Sequence, residues 1–217
     1  MLVSMWMSRE VAIVPPTMPI ADVGAELARR GVRRLPVVER GPKGGRLVGI
    51  VTILDLTRAF PPDINPLSPM ASEQGPRHPV SSIMTVNVRT IGPDAALEDA
   101  AGLLLDRRIG ALPVVREGEL VGIITASDIM RAFVTAMGGD TPGLRVTFDL
   151  DAAEDVMSLM NELAERHTMK IVNMLSLHRD GRRFGVVRLT GRSGDAFVDA
   201  VWRSGHRVLS VVRNGSV

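Results

Sequence analysis

The feature that most constrains the fold is an internal repeat in the first two thirds of the chain. A shift of 77 positions places Leu35-Pro36-Val37-Val38 on Leu112-Pro113-Val114-Val115. Beyond that point a shift of 73 places Leu47-Val48-Gly49-Ile50 on Leu120-Val121-Gly122-Ile123. The four-residue difference falls in Gly41-Pro42-Lys43-Gly44, a cluster of turn residues where an insertion is tolerated. The chain therefore contains two copies of one folding unit.

Each copy predicts the element order β-α-β-β-α. Short β-branched runs predict the strands, and apolar residues at helical spacing predict the helices. In the second copy these elements cover residues 88–91, 96–107, 112–116 and 120–124, followed by a helix that starts after Asp128 and ends near Phe133. The first copy begins with the equivalent strand at residues 11–14. Two such α+β units can pack about a pseudo-twofold axis.

A different pattern begins after the turn-rich segment 138–143. It predicts strands at residues 144–150, 170–177, 184–189 and 207–212, and helices at 152–166 and 196–204. The dipeptide Asp180-Gly181 is typical of a tight hairpin turn. The order β-α-β-β-α-β is that of a ferredoxin-like fold.

The repeated segments resemble the CBS domain, named after cystathionine β-synthase. The resemblance lies in Leu-Pro-Val-Val, a turn, and Val-Gly-Ile-Ile-Thr-Ala-Ser-Asp-Ile before a helix, and it covers about residues 5–60 and 80–134. Two CBS domains in tandem resemble a Bateman module. The resemblance implies regulation by an adenine nucleotide (AMP, ADP or ATP) or by S-adenosylmethionine. It also implies disc-like pairing of modules, and we expect a homodimer. A further partner, an unidentified protein that this one regulates, is possible.

Residues 143–213 resemble an ACT domain, and the whole arrangement is similar to acetoin-utilisation proteins of the AcuB type. An ACT domain commonly has a glycine after its first strand, which lets an amino acid approach the backbone. Here the turn reads Asp149-Leu150-Asp151-Ala152-Ala153. We therefore expect this domain to pair subunits rather than to bind an amino acid in the usual ACT manner.

The expected domains are a first CBS repeat at residues 1–60 and a second at residues 80–137, followed by an ACT-like domain at residues 143–213. The repeats are joined by residues 61–79, which contain six prolines and cannot be helical throughout. We expect this connector to be extended.

Two interpretations apply to the aspartates Asp55 and Asp128, which precede the last helix of each copy. An aspartate in this place can cap the helix by accepting hydrogen bonds from first-turn amides. Alternatively, its carboxylate accepts the two hydroxyls of a ribose, and the nearby helix N-terminus favours a phosphate. The CBS resemblance assigns the ligand role to both aspartates, and the two roles are compatible.

The resemblance implies two clefts, each formed by both copies. The Asp128 cleft uses Thr125, Ser127 and Asp128, with a wall made of Ser8, Val11, Ala12, Val32 and Arg33. The Asp55 cleft uses Thr52 and Asp55, with a wall made of Thr85, Val88, Arg89, Ile109 and Gly110.

The two clefts differ in polarity and in space. Ser127 adds a hydroxyl where the first copy has Leu54, and Gly110 leaves room where the first copy has Arg33. Arg33 and Arg34 precede the first hairpin. Either one of them contacts a phosphate, or they are solvated charges at the end of a helix. The alternative function is a dimerising scaffold whose clefts bind no physiological nucleotide.

Catalysis finds little support in this sequence. The four histidines are scattered, cysteine is absent, and no Walker A or dinucleotide glycine motif is present. We therefore expect no catalytic residues, no metal and no catalytic cofactor.

A formal charge of only +2 gives no reason to expect nucleic acid as a partner, although the pI is 9.9. No apolar run is long enough to span a bilayer, so we expect no membrane partner and a cytoplasmic protein.

Overall fold

The computed structural model describes residues 1–41, 45–139, 141–150 and 155–214. The chain divides into two compact units, Met1–Ile129 and Met130–Val217. The loop insertion at residues 42–44, Asp140 in the predicted linker and Asp151 to Ala153 in the turn predicted after residue 150 lie outside the described residues.

The first repeat consists of two helices that flank a β-hairpin in the chain. Its elements are α1 (Ile20–Arg30), β1 (Arg34–Arg40), β2 (Gly45–Thr52) and α2 (Ile53–Ala59). Helix α1 buries Ile20, Val23 and Leu27, which recur at helical spacing and contribute to the core with residues of β1 and β2. The helix ends at Gly31, which adopts the left-handed conformation with φ of 63°.

The proline-rich connector is folded against the first repeat. It contains a one-turn helix, α3 (Ala71–Gln74), whose Ala71 is buried in the core of that repeat. Amides of α1 bond to it as well, since Ile20 N donates to His78 O over 2.9 Å and Ala21 N donates to Pro76 O over 3.0 Å. The connector is therefore more compact than the extended chain that its prolines predict.

The second repeat follows the same plan, and the two copies share one sheet. Its elements are α4 (Leu97–Arg107), β3 (Ala111–Arg116), β4 (Glu119–Thr125) and α5 (Ala126–Ala136). The strand order is β1-β2-β4-β3, and the copies meet where Arg46 of β2 pairs antiparallel with Glu119 of β4. These two residues occupy equivalent positions in the repeat, as expected for a pseudo-twofold pair.

The strands predicted at residues 11–14 and 88–91 are wrong. Each segment forms only one parallel bridge, Val14 with Val37 and Ile91 with Val114. Prolines follow within two residues of each bridge, and a proline has no N–H with which to continue a ladder. Each repeat therefore has the order α-β-β-α, preceded by a single bridge instead of a strand.

The helix predicted to start after Asp128 begins earlier and ends later. Helix α5 starts at Ala126 and ends at Ala136, so Asp128 is its third residue and does not precede it. The equivalent Asp55 is the third residue of α2. The sequence prediction placed the cap on the aspartate, whereas the threonine three residues earlier occupies the cap position.

The second unit contains a four-stranded antiparallel sheet with the predicted β-α-β-β-α-β order. Its elements are β5 (Gly143–Asp149), α6 (Val156–Arg166), β6 (Lys170–Arg179), β7 (Arg182–Thr190), α7 (Gly194–Arg203) and β8 (Val208–Asn214). The strand order is β6-β7-β5-β8. Phe148, Met160 and Phe197 are among the fully buried residues between the sheet and the two helices. Asp180 and Gly181, at φ of 53° and 75°, form the predicted hairpin turn.

Candidate functional site

A threonine and an aspartate form the same capping box at the start of α2 and of α5. In the first copy, Thr52 N and Oγ1 donate to Asp55 Oδ2 over 2.8 and 2.7 Å, and Asp55 N donates to Thr52 Oγ1 over 3.4 Å. In the second copy, the corresponding distances between Thr125 and Asp128 are 2.9, 2.6 and 3.3 Å. This reciprocal pairing satisfies two backbone donors at each helix start.

The capping box leaves chemistry available on Asp55. Its bonds to Thr52 all use Oδ2, and Oδ1 accepts no hydrogen bond within the described part of the chain. Asp55 is partly exposed, whereas Asp128 is 7% exposed. The Asp55 carboxylate can therefore cap its helix through Oδ2 and still present Oδ1 to a ligand.

A cavity of about 260 Å³ lies directly beside Asp55. It is lined by Asp55, Arg58, Ala59 and Ile83. This volume approaches the lower end of the range typical of small-molecule sites, about 300–1,000 Å³. Arg58 and Ile83 were not among the predicted contacts. Arg58 lies one turn after Asp55 and shares its cavity.

The predicted contacts Ser8 and Thr85 form isolated bridges with the strands that lead to the capping boxes. Ser8 exchanges two backbone hydrogen bonds with Ile123 of β4, over 2.9 and 3.0 Å. Thr85 makes the equivalent pair with Ile50 of β2, over the same two distances. Ile50 and Ile123 each precede the capping threonine by two residues. The structure therefore brings each of these residues from one copy close to the capping box of the other copy.

Glycines in the two strands make this close approach possible. A Cβ on Gly49 would lie 2.5 Å from Sδ of Met84, and a Cβ on Gly122 would lie 2.7 Å from Sδ of Met7. The methionine immediately before each crossing residue thus packs on a glycine of the facing strand. A glycine inside a strand often marks such an approach.

In each copy, the residue just before the β-hairpin bonds to the first residue of the helix that follows the hairpin. Arg33 O accepts from Ile53 N over 3.1 Å, and Gly110 O accepts from Ala126 N over 3.4 Å. The guanidinium of Arg34 lies beside Gly110. A Cβ on Gly110 would be 2.7 Å from Nη2 of Arg34. Burial, and secondarily the charge of Arg33, lowers the pKa of Arg34.

The remaining predicted wall residues are spread over the unit. Ala12 and Val32 are partly buried against the core of the first repeat. Val88 lines a separate cavity of about 440 Å³, together with Asn87, Thr90 and residues of β2. Val11 and Ile109 are partly exposed, and Ser127 and Arg89 are exposed. For these residues the sequence prediction of a shared ligand wall stays a prediction.

Other kinds of site have no visible basis in the described ranges. No group of three or more histidine, aspartate or glutamate side chains there is placed to hold a metal ion. Of the helices in the same ranges, none combines the length and the apolar character that crossing a bilayer requires.

Three solved structures are similar to this chain. A putative acetoin utilization protein (AcuB) from Vibrio cholerae is 28% identical, with a TM-score of 0.52, covering 64% of this chain and 95% of that one. CBSX2 in complex with AMP is 31% identical, with a TM-score of 0.51, covering 62% and 96%. The CBS domain pair of protein MJ0100, in complex with 5-methylthioadenosine and S-adenosyl-L-methionine, is 27% identical, with a TM-score of 0.50, covering 65% and 98%.

The family assignment comes from the repeated part of the chain. Residues 3–62 and 80–135 each match the CBS domain, and together they make up more than half of the 217 residues. The matched segments contain both capping boxes, and the second segment ends within α5. With two matching repeats that share one sheet, the chain belongs to the CBS domain family.

Proposed function

We propose that this protein is a regulatory ligand sensor, not an enzyme, which binds an adenosine-containing nucleotide between its CBS repeats. The candidate ligands are AMP, ADP, ATP and S-adenosylmethionine. The observation that carries the proposal is the partly exposed Asp55, which keeps one oxygen without a partner beside a cavity. Similar CBS pairs are complexes with AMP or with S-adenosylmethionine, which supports the same ligand class.

In the proposed role of Asp55, Oδ2 holds the capping threonine and Oδ1 accepts a ribose hydroxyl. The Asp55 cleft combines Thr52 and Asp55 with Thr85, Val88, Arg89, Ile109 and Gly110. The Asp128 cleft combines Thr125, Ser127 and Asp128 with Ser8, Val11, Ala12, Val32 and Arg33.

Binding to aspartate variants tests this proposal. Asp55→Asn and Asp128→Asn keep one oxygen that can accept from the capping threonine but lose the negative charge. A charge-assisted hydrogen bond contributes about 1.5–3 kcal/mol, so each variant should weaken nucleotide binding at its own cleft by at least about tenfold. The measurement is isothermal titration calorimetry with AMP, ADP, ATP and S-adenosylmethionine.

The control for this experiment is the thermal unfolding of the free variants, which should stay close to the parent because the cap persists. If both variants bind nucleotide as the parent does, the aspartates serve only the helices. The alternative function, a scaffold without a physiological nucleotide, would then take precedence. The exposed Leu54, which replaces the hydroxyl of Ser127 in the first copy, favours that alternative at the Asp55 cleft.

We further propose that the second unit is an ACT-like domain and that the protein is a homodimer in which both parts contribute. The β-α-β-β-α-β order of the second unit supports the domain assignment. A role in acetoin utilisation, a cytoplasmic location and a regulated protein partner are part of the same proposal. The second strand of this unit, β6, is an edge strand that could pair with another subunit.

The apolar face of α5 supports self-association. Met130, Phe133 and Val134 lie on adjacent turns, and they are 62%, 56% and 40% exposed. A cluster of large exposed apolar side chains is typical of an interaction surface.

We expect Phe133→Glu to shift the molecule from dimer to monomer in sedimentation equilibrium at micromolar concentration. Leu105→Glu, at another exposed apolar position on α4, is the control. A parent protein that is already monomeric would contradict the dimer.

A further inference from the structure

The sheet of the second unit has one face turned away from helices α6 and α7. Side chains along a strand alternate between the two faces of a sheet. The core beneath α6 and α7 takes every second residue of the two central strands, β5 and β7: Leu144, Val146, Phe148, Val187 and Leu189. The residues between them belong to the opposite side, which we call the outer face. Arg145 and Arg188 lie on the outer face, and they are direct partners in the pairing of β5 with β7.

Neither arginine has a counterion in the part of the chain that the structure describes. No carboxylate there lies within salt-bridge distance of Arg145 or Arg188. The carboxylates of the second unit pair with other arginines instead: Asp149 with Arg182 and Arg207, Asp195 with Arg213, Asp199 with Arg203, and Glu162 with Arg166. Like charges directly opposite each other on neighbouring strands destabilise a sheet. The pair therefore opposes folding unless a group from outside these residues neutralises it.

Arg188 is the more deeply buried of the two arginines. It is 4% exposed, whereas Arg145 is partly open to solvent. Nη2 of Arg188 donates to the carbonyl oxygen of Thr141, and Nε is buried with no hydrogen-bond partner among the described residues. The carbonyl is neutral, and the end of α5 near Gly138 contributes only a partial negative charge. A buried cation needs a full opposite charge to offset its lost hydration.

Other polar groups lie beside the pair on the outer face. Asn173 of β6 pairs with Arg188 from the other side, and its Oδ1 is also buried without a partner in the described ranges. A water molecule between this oxygen and Nε of Arg188 would satisfy both atoms but would leave the charge in place. Thr147 lies two residues after Arg145, so it shares the outer face, and it is partly exposed. An anion on this face can therefore meet two guanidinium groups and a hydroxyl.

We infer that Arg145 and Arg188 form an anion-binding site on the outer face of the second unit. Its ligand is a small oxyanion with two negative charges, either a phosphate group or a dicarboxylate. Two charges match the two arginines, and a planar guanidinium offers parallel N–H donors to such oxygens. Neither arginine belongs to the proposed nucleotide clefts, so this inference and the proposed function stand or fail separately.

Hydrogen exchange with mass spectrometry on the full-length protein tests this site. Inorganic phosphate and succinate are each compared with sodium chloride at equal ionic strength. A bound dianion should slow amide exchange in peptides of β5 and β7, by about tenfold when its concentration is about ten times its dissociation constant. Slowing by either dianion supports the site, and the stronger of the two identifies the oxyanion. Peptides that contain Asp55 or Asp128 are followed separately, because phosphate in a nucleotide cleft would slow those.

Four variants assign the slowing to the arginine pair. Arg145→Met and Arg188→Met should each remove most of it, and Arg145→Lys should keep part of it, because lysine retains the charge but not the fork. Arg213→Met, an exposed arginine of the same sheet that already pairs with Asp195, is the matched control and should respond as the parent does. The free Arg188→Met protein should melt no lower than the parent, because it loses an uncompensated buried charge. Arg145→Met, at a partly exposed position, decides the question if the Arg188 variant unfolds.

A further variant checks whether the chain supplies its own counterion. Asp140 precedes Thr141 in the sequence, and Asp140→Asn should leave the anion response of the parent unchanged. A response that appears only in Asp140→Asn would overturn the inference. Equal slowing by chloride, slowing that survives both methionine variants, or no slowing of β5 and β7 by either dianion would overturn it as well.

Discussion

At the scale of single residues, the two repeats serve as controls for each other. Helix α1 ends at Gly31 with φ of 63°, and its counterpart α4 ends at Arg108 with φ of 51°. The backbone bonds around both ends are the same, since Gly31 N donates to Ala28 O and Arg108 N donates to Leu105 O, each over 3.2 Å. The same left-handed cap is therefore made once by glycine and once by a side chain that disfavours it.

This difference predicts the effect of exchanging the two residues. Arg108→Gly should raise the free energy of unfolding by up to about 1 kcal/mol, because it removes the steric cost of a left-handed side chain. Gly31→Arg should lower the free energy of unfolding by about the same amount. Urea unfolding of both variants measures the two changes. A loss of stability in Arg108→Gly would contradict the argument, because no side-chain contact of Arg108 is needed for the cap.

The residue scale also separates what the sequence could predict from what it could not. Thr52, Asp55 and their equivalents stand out because the repeat presents them twice. The cap position could not be read with certainty, since a threonine and an aspartate three residues apart can each cap a helix. Arg34 was predicted only as one of two possible phosphate contacts. Its reach to Gly110 depends on how the copies pack, and the spacing along the chain does not contain that information.

At the scale of elements, long periodic segments were predicted well and short apolar runs poorly. The predicted helix at residues 96–107 corresponds to α4, and the predicted hairpin strands lie within β3 and β4 to within one residue at each end. The runs at residues 11–14 and 88–91 have good strand composition, yet they meet the neighbouring strand at one residue each. Strand composition favours an extended backbone, but the available partner edge decides whether a ladder forms.

Two helical glycines predict opposite responses to alanine. A Cβ on Gly24 of α1 would lie 2.0 Å from the carbonyl oxygen of Pro66 in the connector, whereas a Cβ on Gly102 of α4 would meet nothing within 4 Å. Gly24→Ala should therefore cost about 1–3 kcal/mol by forcing the connector off the helix. Gly102→Ala should add about 0.5–1 kcal/mol through helix propensity.

Thermal or urea unfolding of the two variants checks these signs. Helix propensity alone would make both substitutions stabilising, so a stabilised Gly24→Ala protein would mean that the connector does not pack against α1. The comparison therefore tests the compact connector, which is the part of the fold that its proline content predicted least well.

At the scale of the whole molecule, helix α5 belongs to both units. It begins at Ala126, beside the capping box of the first unit, and ends at Ala136 in the second unit. Within the second unit, Asn173 Nδ2 donates to Ala136 O over 2.5 Å, and Arg188 donates to Thr141 O. Gly138 is buried, with Cδ of Arg188 2.8 Å from the position of a Cβ. Side chains of β6 and β7 thus hold the end of the helix and the turn that follows it.

These contacts make a prediction about the boundary between residues 1–137 and 143–213, which the sequence marks as separable units. A protease cleaves a segment more readily when the hydrogen bonds that hold this segment can break. Asn173 supplies one such bond, to Ala136 beside the boundary. Asn173→Ala should therefore accelerate cleavage within residues 138–143 several-fold. Cleavage in the connector at residues 61–79, a segment of the first unit, should keep its parent rate. Ser176→Ala, an exposed change on the same strand, is the matched control. Mass spectrometry of the early fragments locates each cut, and first cleavage inside β5 to β8 in the parent protein would contradict the division into two units.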